Sequence, residues 1–347
     1  MEALKVVAEL RRALLAFYRK HGRDLPWRQT SDAYAIWISE VMLQQTQVQT
    51  VVPRFVDFLR QFPHLAALAA VEERTVCEAW AGLGYYRRAR NLHKAAHLVV
   101  SELGGKMPED EAGLRRLPGV GAYTAAAVAS IAYGARTAAV DGNLVRVLAR
   151  VFALPGRASD ATLVRAVRAQ AQRLVDCRWP GEINQSLMDI GATLCRPESP
   201  ACFACPLRRS CRAFRDGRPT AYPGKAAKSP RKSLRIAFAW IERQGALLLE
   251  QRPLDGLWPG LWELPSASGI HAKRDLAVRV DQPLGPRLAR VFHELTHRHV
   301  SASVYQATAG KKAGQKWWSD PLAAPLSSLA RKAILAAQAG HERSAHR

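Results

Sequence analysis

The chain has 347 residues, 48% of them hydrophobic and 23% charged, which is room for about two domains and excludes a wholly disordered chain. No run approaches the ~18 uninterrupted apolar residues of a membrane-spanning helix. Residues 1–225 carry 32 basic and 20 acidic side chains and the remainder 19 and 9, a net +22 spread over both halves; basic charge distributed through folded sequence favours a polyanionic partner such as nucleic acid.

From residue 1 to about 213, apolar residues recur with a spacing near 3.6 between short breaks at Gly or Pro, and no alternating strand stands out. This half is predicted to be all-α. Its segment DAYAIWISEVMLQQTQVQ (32–49) reads as a helix capped by Ser31 or Asp32. Within it Glu40 has Ile36, Trp37, Leu43 and Gln44 as helix-face neighbours. Three of those four are apolar, and a carboxyl so placed takes up a raised pKa, as a general acid near neutral pH requires. Without a chemical partner, such a glutamate marks only the edge of an apolar stripe.

LPGVG (117–121) lies between a short helical segment ending near Arg116 and an Ala-rich helix starting at Ala122. Two glycines let the backbone approach a partner closely, and the following helix start offers N–H groups to a phosphate. Asp141, in VDGNLVRVLARV (140–151), occupies an N-cap position, where the helix terminus favours its ionised form. A protonated Glu and an ionised Asp form the acid and charge-stabiliser pair that breaks glycosidic bonds.

Cys195, Cys202, Cys205 and Cys211 follow a C-x6-C-x2-C-x5-C spacing. Four thiolates so spaced suit either a zinc ion or a 4Fe–4S cluster. Cys77 and Cys177 fall in helical patterns and read as buried small hydrophobes. Clustered cysteines without a secretory hydrophobic region imply a reducing, cytoplasmic setting.

PTAYPGKAAKSPRKS (219–233) reads as a solvated linker. Beyond it LRIAFAWIE (234–242), ALLLEQR (246–252) and VSASVYQA (300–307) are predicted strands, and an apolar helix near 325–338 completes an α+β domain over 234–347. His293 to His297, HELTH, matches the zinc-protease pattern H-E-x-x-H, which works only on a helix. The strand-like VSASVYQ that follows argues against one here.

In combination these residues resemble the MutY-type adenine DNA glycosylases of the helix-hairpin-helix superfamily. LPWR (25–28), SEVMLQQTQV (39–48), GLGYYRRARNLHKAA (82–96), LPGVGAYTA (117–125), VDGN (140–143), NQSLMDIGA (184–192) and the cysteine loop occur in family order over nearly the whole chain. The resemblance implies a helix-hairpin-helix glycosylase domain (1–218) whose cysteines hold one 4Fe–4S cluster, followed by a Nudix-like lesion-recognition domain. GLWPGLWELP (256–265) is that domain's loop, and no catalytic Nudix box follows it. The implied substrate is double-stranded DNA with adenine opposite 8-oxoguanine or guanine, and the implied reaction hydrolyses the N-glycosidic bond of the flipped-out adenine.

Carried over residue by residue, Glu40 protonates adenine N7, Asp141 stabilises the oxocarbenium-like sugar, and Asn143 bonds within the catalytic group. Trp27, Arg28 and Gln185 line the adenine pocket. Gln44, Gln45 and Tyr85 meet the duplex, and Gly119, Val120 and Gly121 offer amides to phosphate. Tyr123 stands where the related endonuclease III lyases carry the Schiff-base Lys, so a monofunctional, monomeric glycosylase is expected. Leu295, Thr296 and His297 replace the F-S-H of many relatives in the lesion-reading loop. The rivals are an endonuclease III-like lyase, disfavoured by Tyr123 and the second domain, and a non-catalytic DNA-binding protein with a zinc staple.

Overall fold

The computed structural model describes residues 2–224, 231–253, 256–295, 297–308 and 315–345. The chain divides into two compact units, Met1–Ala227 and Lys228–Arg347.

The first unit is helical. It contains α1 (Glu2–His21), α2 (Ala33–Leu43), α3 (Val48–Gln61), α4 (Leu65–Ala69), α5 (Glu73–Ala79) and α6 (Arg87–Glu102). These are followed by α7 (Glu111–Leu114), α8 (Ala122–Ala132), α9 (Gly142–Phe152), α10 (Ala161–Val175), α11 (Pro180–Asp189) and α12 (Arg212–Arg215). Two large apolar cores form, with a small third cluster of Ala126, Ala127 and Ala139. One joins α2 to α8 around Trp37, Phe58, Trp80 and Leu92; the other joins α1 to α9, α10 and α11 around Leu14, Leu148, Val167 and Leu187. In the turn between α7 and α8, Gly119 has φ +78, and a Cβ there would lie 2.7 Å from Asn91 Cβ. Only glycine satisfies both constraints.

The second unit is α+β. Its strands are β1 (Lys232–Trp240), β2 (Glu242–Arg243), β3 (Ala246–Gln251), β4 (Trp262–Glu263), β5 (Ser266–Ser268), β6 (Arg287–Leu295), β7 (Arg298–Gln306) and β8 (Gln315–Trp318), with helices α13 (Ala272–Val280) and α14 (Ser328–Ala345). One sheet runs β5-β1-β7-β6, with β1 and β7 parallel; in the other, β3 pairs with β2, β4 and β8. Alternation along β7 puts Val300, Ala302 and Val304 into the core with α14 residues Leu329, Ala333 and Ile334. On the opposite side Leu276 and Val280 of α13 cover Ala237 and Ala239 of β1.

Three expectations need correction. The segment 219–233 is not a linker throughout: the Tyr222 carbonyl accepts from Arg150 Nε, Gly224 N donates to Gly156 O, and Lys232 and Ser233 already belong to β1. The closing helix runs over Ser328–Ala345 rather than 325–338, because Pro325 cannot sit inside its ladder. Cys177 lies beyond α10, which ends at Val175, and both Cys77 and Cys177 are half-buried rather than buried.

Candidate active site

Asp32 caps α2, its carboxylate accepting from the N–H groups of Tyr34 and Ala35. AYAIWISEVM is apolar on nearly every face, and every residue from Ala33 to Met42 is buried. Such a helix must lie inside the fold. It carries Glu40 with it, 5% exposed, its Oε2 without a hydrogen-bond partner on the protein. Burial pushes the Glu40 carboxyl up to about 7; the Tyr123 hydroxyl opposes the rise, the Asp141 charge adds to it and Arg28 opposes it. A group half-protonated near neutrality can both donate and recover a proton. Tyr123, in the first turn of α8, has its own pKa raised well above the usual value by burial and by the Glu40 and Asp141 charges, so it stays an O–H donor. The same hydroxyl lies 3.7 Å from Met188 Sδ.

Asp141 is the N-cap of α9. One carboxylate oxygen accepts the Leu144 N–H at 2.7 Å, and the other accepts Asn143 Nδ2 at 2.9 Å. Arg146 Nη2 then donates to Asn143 Oδ1 and to the Gly191 carbonyl, and Arg146 Nε donates to the Cys195 carbonyl. Gly191 lies in a π-helical turn, Ile190–Leu194, that continues α11. A Cβ on Gly191 would lie 2.7 Å from Asn143 Cβ, so the close approach of these two segments needs glycine. Behind Asp141, buried Asn184 accepts the Ala139 N–H and donates to Ser130 Oγ and the Thr137 carbonyl, which fixes the segment that leads into α9.

Arg28 is held by Asp189 through two bonds, Nη1 to Oδ2 at 2.6 Å and Nη2 to Oδ1 at 2.9 Å, with Arg23 Nε on the same carboxylate at 2.5 Å. Burial alone would raise the Asp189 carboxyl, but Arg28 and Arg23 hold it below its usual range. Trp27 is buried edge-on against Phe55, 5.4 Å between centroids.

A cavity of about 330 Å³ gathers Trp27, Arg28, Glu40, Tyr123, Asp141, Asn143 and Gln185 in one place. That volume falls in the range of small-molecule sites, roughly 300–1,000 Å³. Its wall draws on both apolar cores, with Trp27 and Ile36 from one and Met188 from the other. The other expected contacts lie elsewhere. Gln44 Nε2 donates to Thr124 Oγ1, and Gln45 and Tyr85 are exposed at two turns with φ +58 and +49. Gly119, Val120 and Gly121 precede α8 outside the cavity wall, and Gly121 caps that helix without a side-chain bond. In the second unit Leu295 ends β6, half-buried, and His297 is exposed in the turn to β7; Thr296 lies outside the described residues. His293, Glu294 and Leu295 of HELTH therefore lie on a strand, not on a helix.

Arg23, Met188, Asp189 and Arg146 take places here that no local sequence pattern signals. Asp189 and Met188 stand inside NQSLMDIGA, and a buried Asp needs a cation that only the fold names.

The four cysteines line one small cavity with Arg150, whose Nη1 donates to Cys195 Sγ at 3.3 Å. None of the four is in a disulfide. Among the described residues no three His, Cys, Asp or Glu side chains converge as the ligands of a single metal ion would. Four cysteine sulfurs around one shared space are a donor set of the kind an iron–sulfur cluster requires.

The helical unit and its two-carboxylate cavity define a base-excision glycosylase fold. A family model described as HhH-GPD superfamily base excision DNA repair protein matches residues 38–173, and one described as NUDIX domain matches 236–336. The adenine DNA glycosylase of Homo sapiens is 36% identical over 86% of this chain and 67% of that protein; that of Mus musculus is 36% identical over 94% and 77%. The solved structure of a thermostable thymine-DNA glycosylase is 28% identical, with a TM-score of 0.56 over 62% of this chain and all of that one. The chain belongs to the adenine DNA glycosylase family.

Proposed function

We propose that this protein hydrolyses the N-glycosidic bond of adenine mispaired with 8-oxoguanine or guanine in duplex DNA, leaving an abasic site for base excision repair. The observation that carries this reading is the meeting of Glu40, its carboxyl raised to about 7, with Asp141 in one cavity of base-accommodating size. The base leaves the stack and enters between Trp27 and the Arg28 side. Protonated Glu40 donates to the adenine ring, which makes the base a leaving group, while Asp141, locked by Leu144 N–H and Asn143, faces the positive charge developing on the sugar. Tyr123 cannot form a Schiff base, so the strand stays intact and the enzyme is monofunctional.

Cys195, Cys202, Cys205 and Cys211 would hold one 4Fe–4S cluster, which supplies iron–thiolate bonds that tie down the loop between them and a redox-capable centre. The second unit, through Leu295, Thr296 and His297, would read the base opposite the adenine, and the first turn of α8 would take a DNA phosphate. The protein acts as a monomer in the cytoplasm.

Single-turnover cleavage of a labelled 8-oxoguanine:A duplex, with and without alkali, tests this beside an oxidised-pyrimidine duplex. Breakage of the adenine strand only after alkali is the expected result. Breakage at the pyrimidine lesion without alkali would place the chain with the lyases instead.

A further inference from the structure

Arg88, in the first turn of α6, spends both terminal nitrogens on two separate turns. Nη1 donates to the carbonyls of Val41, Met42 and Gln44 at 2.8, 2.8 and 2.7 Å. Nη2 donates to Thr46 Oγ1 at 3.0 Å and to the carbonyls of Leu83 and Gly84 at 3.0 and 3.1 Å. The guanidinium lies over the Trp80 and Tyr85 rings, 5.4 and 5.6 Å from their centroids.

Two of those acceptors matter most. Gln44 O belongs to the peptide plane that precedes Gln45, and Gly84 O to the plane that precedes Tyr85. Gln45 and Tyr85 are both non-glycine residues with left-handed backbones, φ +58 and +49, and both are exposed. A left-handed conformation is unfavourable for such residues and persists only where its surroundings hold it. One guanidinium pins both planes and at the same time satisfies the last carbonyls of α2, the helix that carries Glu40. Only a planar fork with several N–H groups can do this; a lysine ammonium has three donors for six acceptors.

We infer that Arg88 is the positioning residue that presents Gln45 and Tyr85 together as the wedge that opens the duplex. This rests on the glycosylase reading above. Arg88 touches no reacting atom; it sets the geometry of base extrusion rather than of bond cleavage, and an adenine that is already unstacked does not need it.

The test compares two substrates in single turnover: an 8-oxoguanine:A duplex, and the same adenine in a single-nucleotide bulge. Stopped-flow fluorescence of 2-aminopurine in place of the adenine reports unstacking directly. Arg88→Lys is expected to slow unstacking and duplex excision together, by roughly ten-fold or more, and to leave bulge excision within about three-fold. Tyr85→Ala, at an exposed position where folding is not at stake, should slow duplex excision as well, and the double variant should lose clearly less than the two single losses combined. Equal losses on both substrates, or losses that add in the double variant, would overturn the role. Failure of the unmodified protein to excise adenine from either substrate would instead sink the glycosylase reading, and this inference with it.

Discussion

Arg28 and Asp189 form a two-bonded ion pair, Asp189 1% and Arg28 8% exposed, between the 3-10 turn before α2 and the end of α11. The pair bridges the two sides of the cavity, because the turn packs with one apolar core and α11 with the other. Removing one member of a buried pair leaves its partner's charge desolvated and uncompensated.

Asp189→Asn should therefore destabilise the protein by about 3 kcal/mol or more, read by urea denaturation, and reduce excision as Arg28 loses its anchor. The effect has a pH signature. Because the folded Asp189 pKa lies below its unfolded value, its stabilisation is present above the unfolded pKa and is lost as pH falls through the folded one. The wild-type advantage over Asp189→Asn should shrink in acid.

Glu40 predicts the opposite trend. Its folded pKa, about 7, lies above the ordinary 4.5, so the buried carboxyl is tolerated below the unfolded pKa and opposes folding as pH rises through 7. Glu40→Gln should abolish excision, with a stability gain over wild type at pH 8 of at most about 3 kcal/mol that vanishes near pH 4. In the wild type the excision rate should fall as pH rises beyond about 7, where the acid form is depleted. A rate flat from pH 6 to 9 would remove Glu40 from the role of acid.

Gly191→Ala tests the close packing behind Asp141. The new methyl meets Asn143 Cβ at 2.7 Å, a contact that a short, already bonded side chain cannot relieve by rotation. Displacing Asn143 loosens Asp141, and misplacement of a catalytic group by about 1 Å costs on the order of 100-fold. Single-turnover excision should fall by at least ten-fold, with far-ultraviolet circular dichroism unchanged.

For the cysteine site, the purified protein should carry iron and sulfide and absorb in the visible range. Replacing Cys205 by Ser should lower the bound iron and the melting temperature together. One zinc per chain, with no iron after anaerobic reconstitution, would reject the cluster.

Much of this site was legible because its residues fall in short contiguous motifs. Asp141 as an N-cap, the α8 start at Ala122 and the apolar setting of Glu40 all follow from local pattern, and each is found in place. The partnerships were not legible. Asp189 lies 161 residues from Arg28, and Arg146 reaches Cys195 across 49, distances over which periodicity carries no information. The parallel pairing of β1 with β7 was likewise hidden, since strand composition reveals neither partner nor direction. The linker was overextended because Pro, Gly and Lys mark loops whether or not the backbone docks, and here Arg150 and Gly156 supply the docking bonds.

The complete burial of α2 bears on how this protein could be improved. A helix that is apolar on nearly every face and carries one buried carboxyl is a site where a neutral residue of the same size would raise heat tolerance at neutral pH. A laboratory screen that rewarded survival at high temperature alone would therefore enrich changes at Glu40 and return robust, inert proteins. Selection for thermal robustness has to be coupled to turnover from its first round.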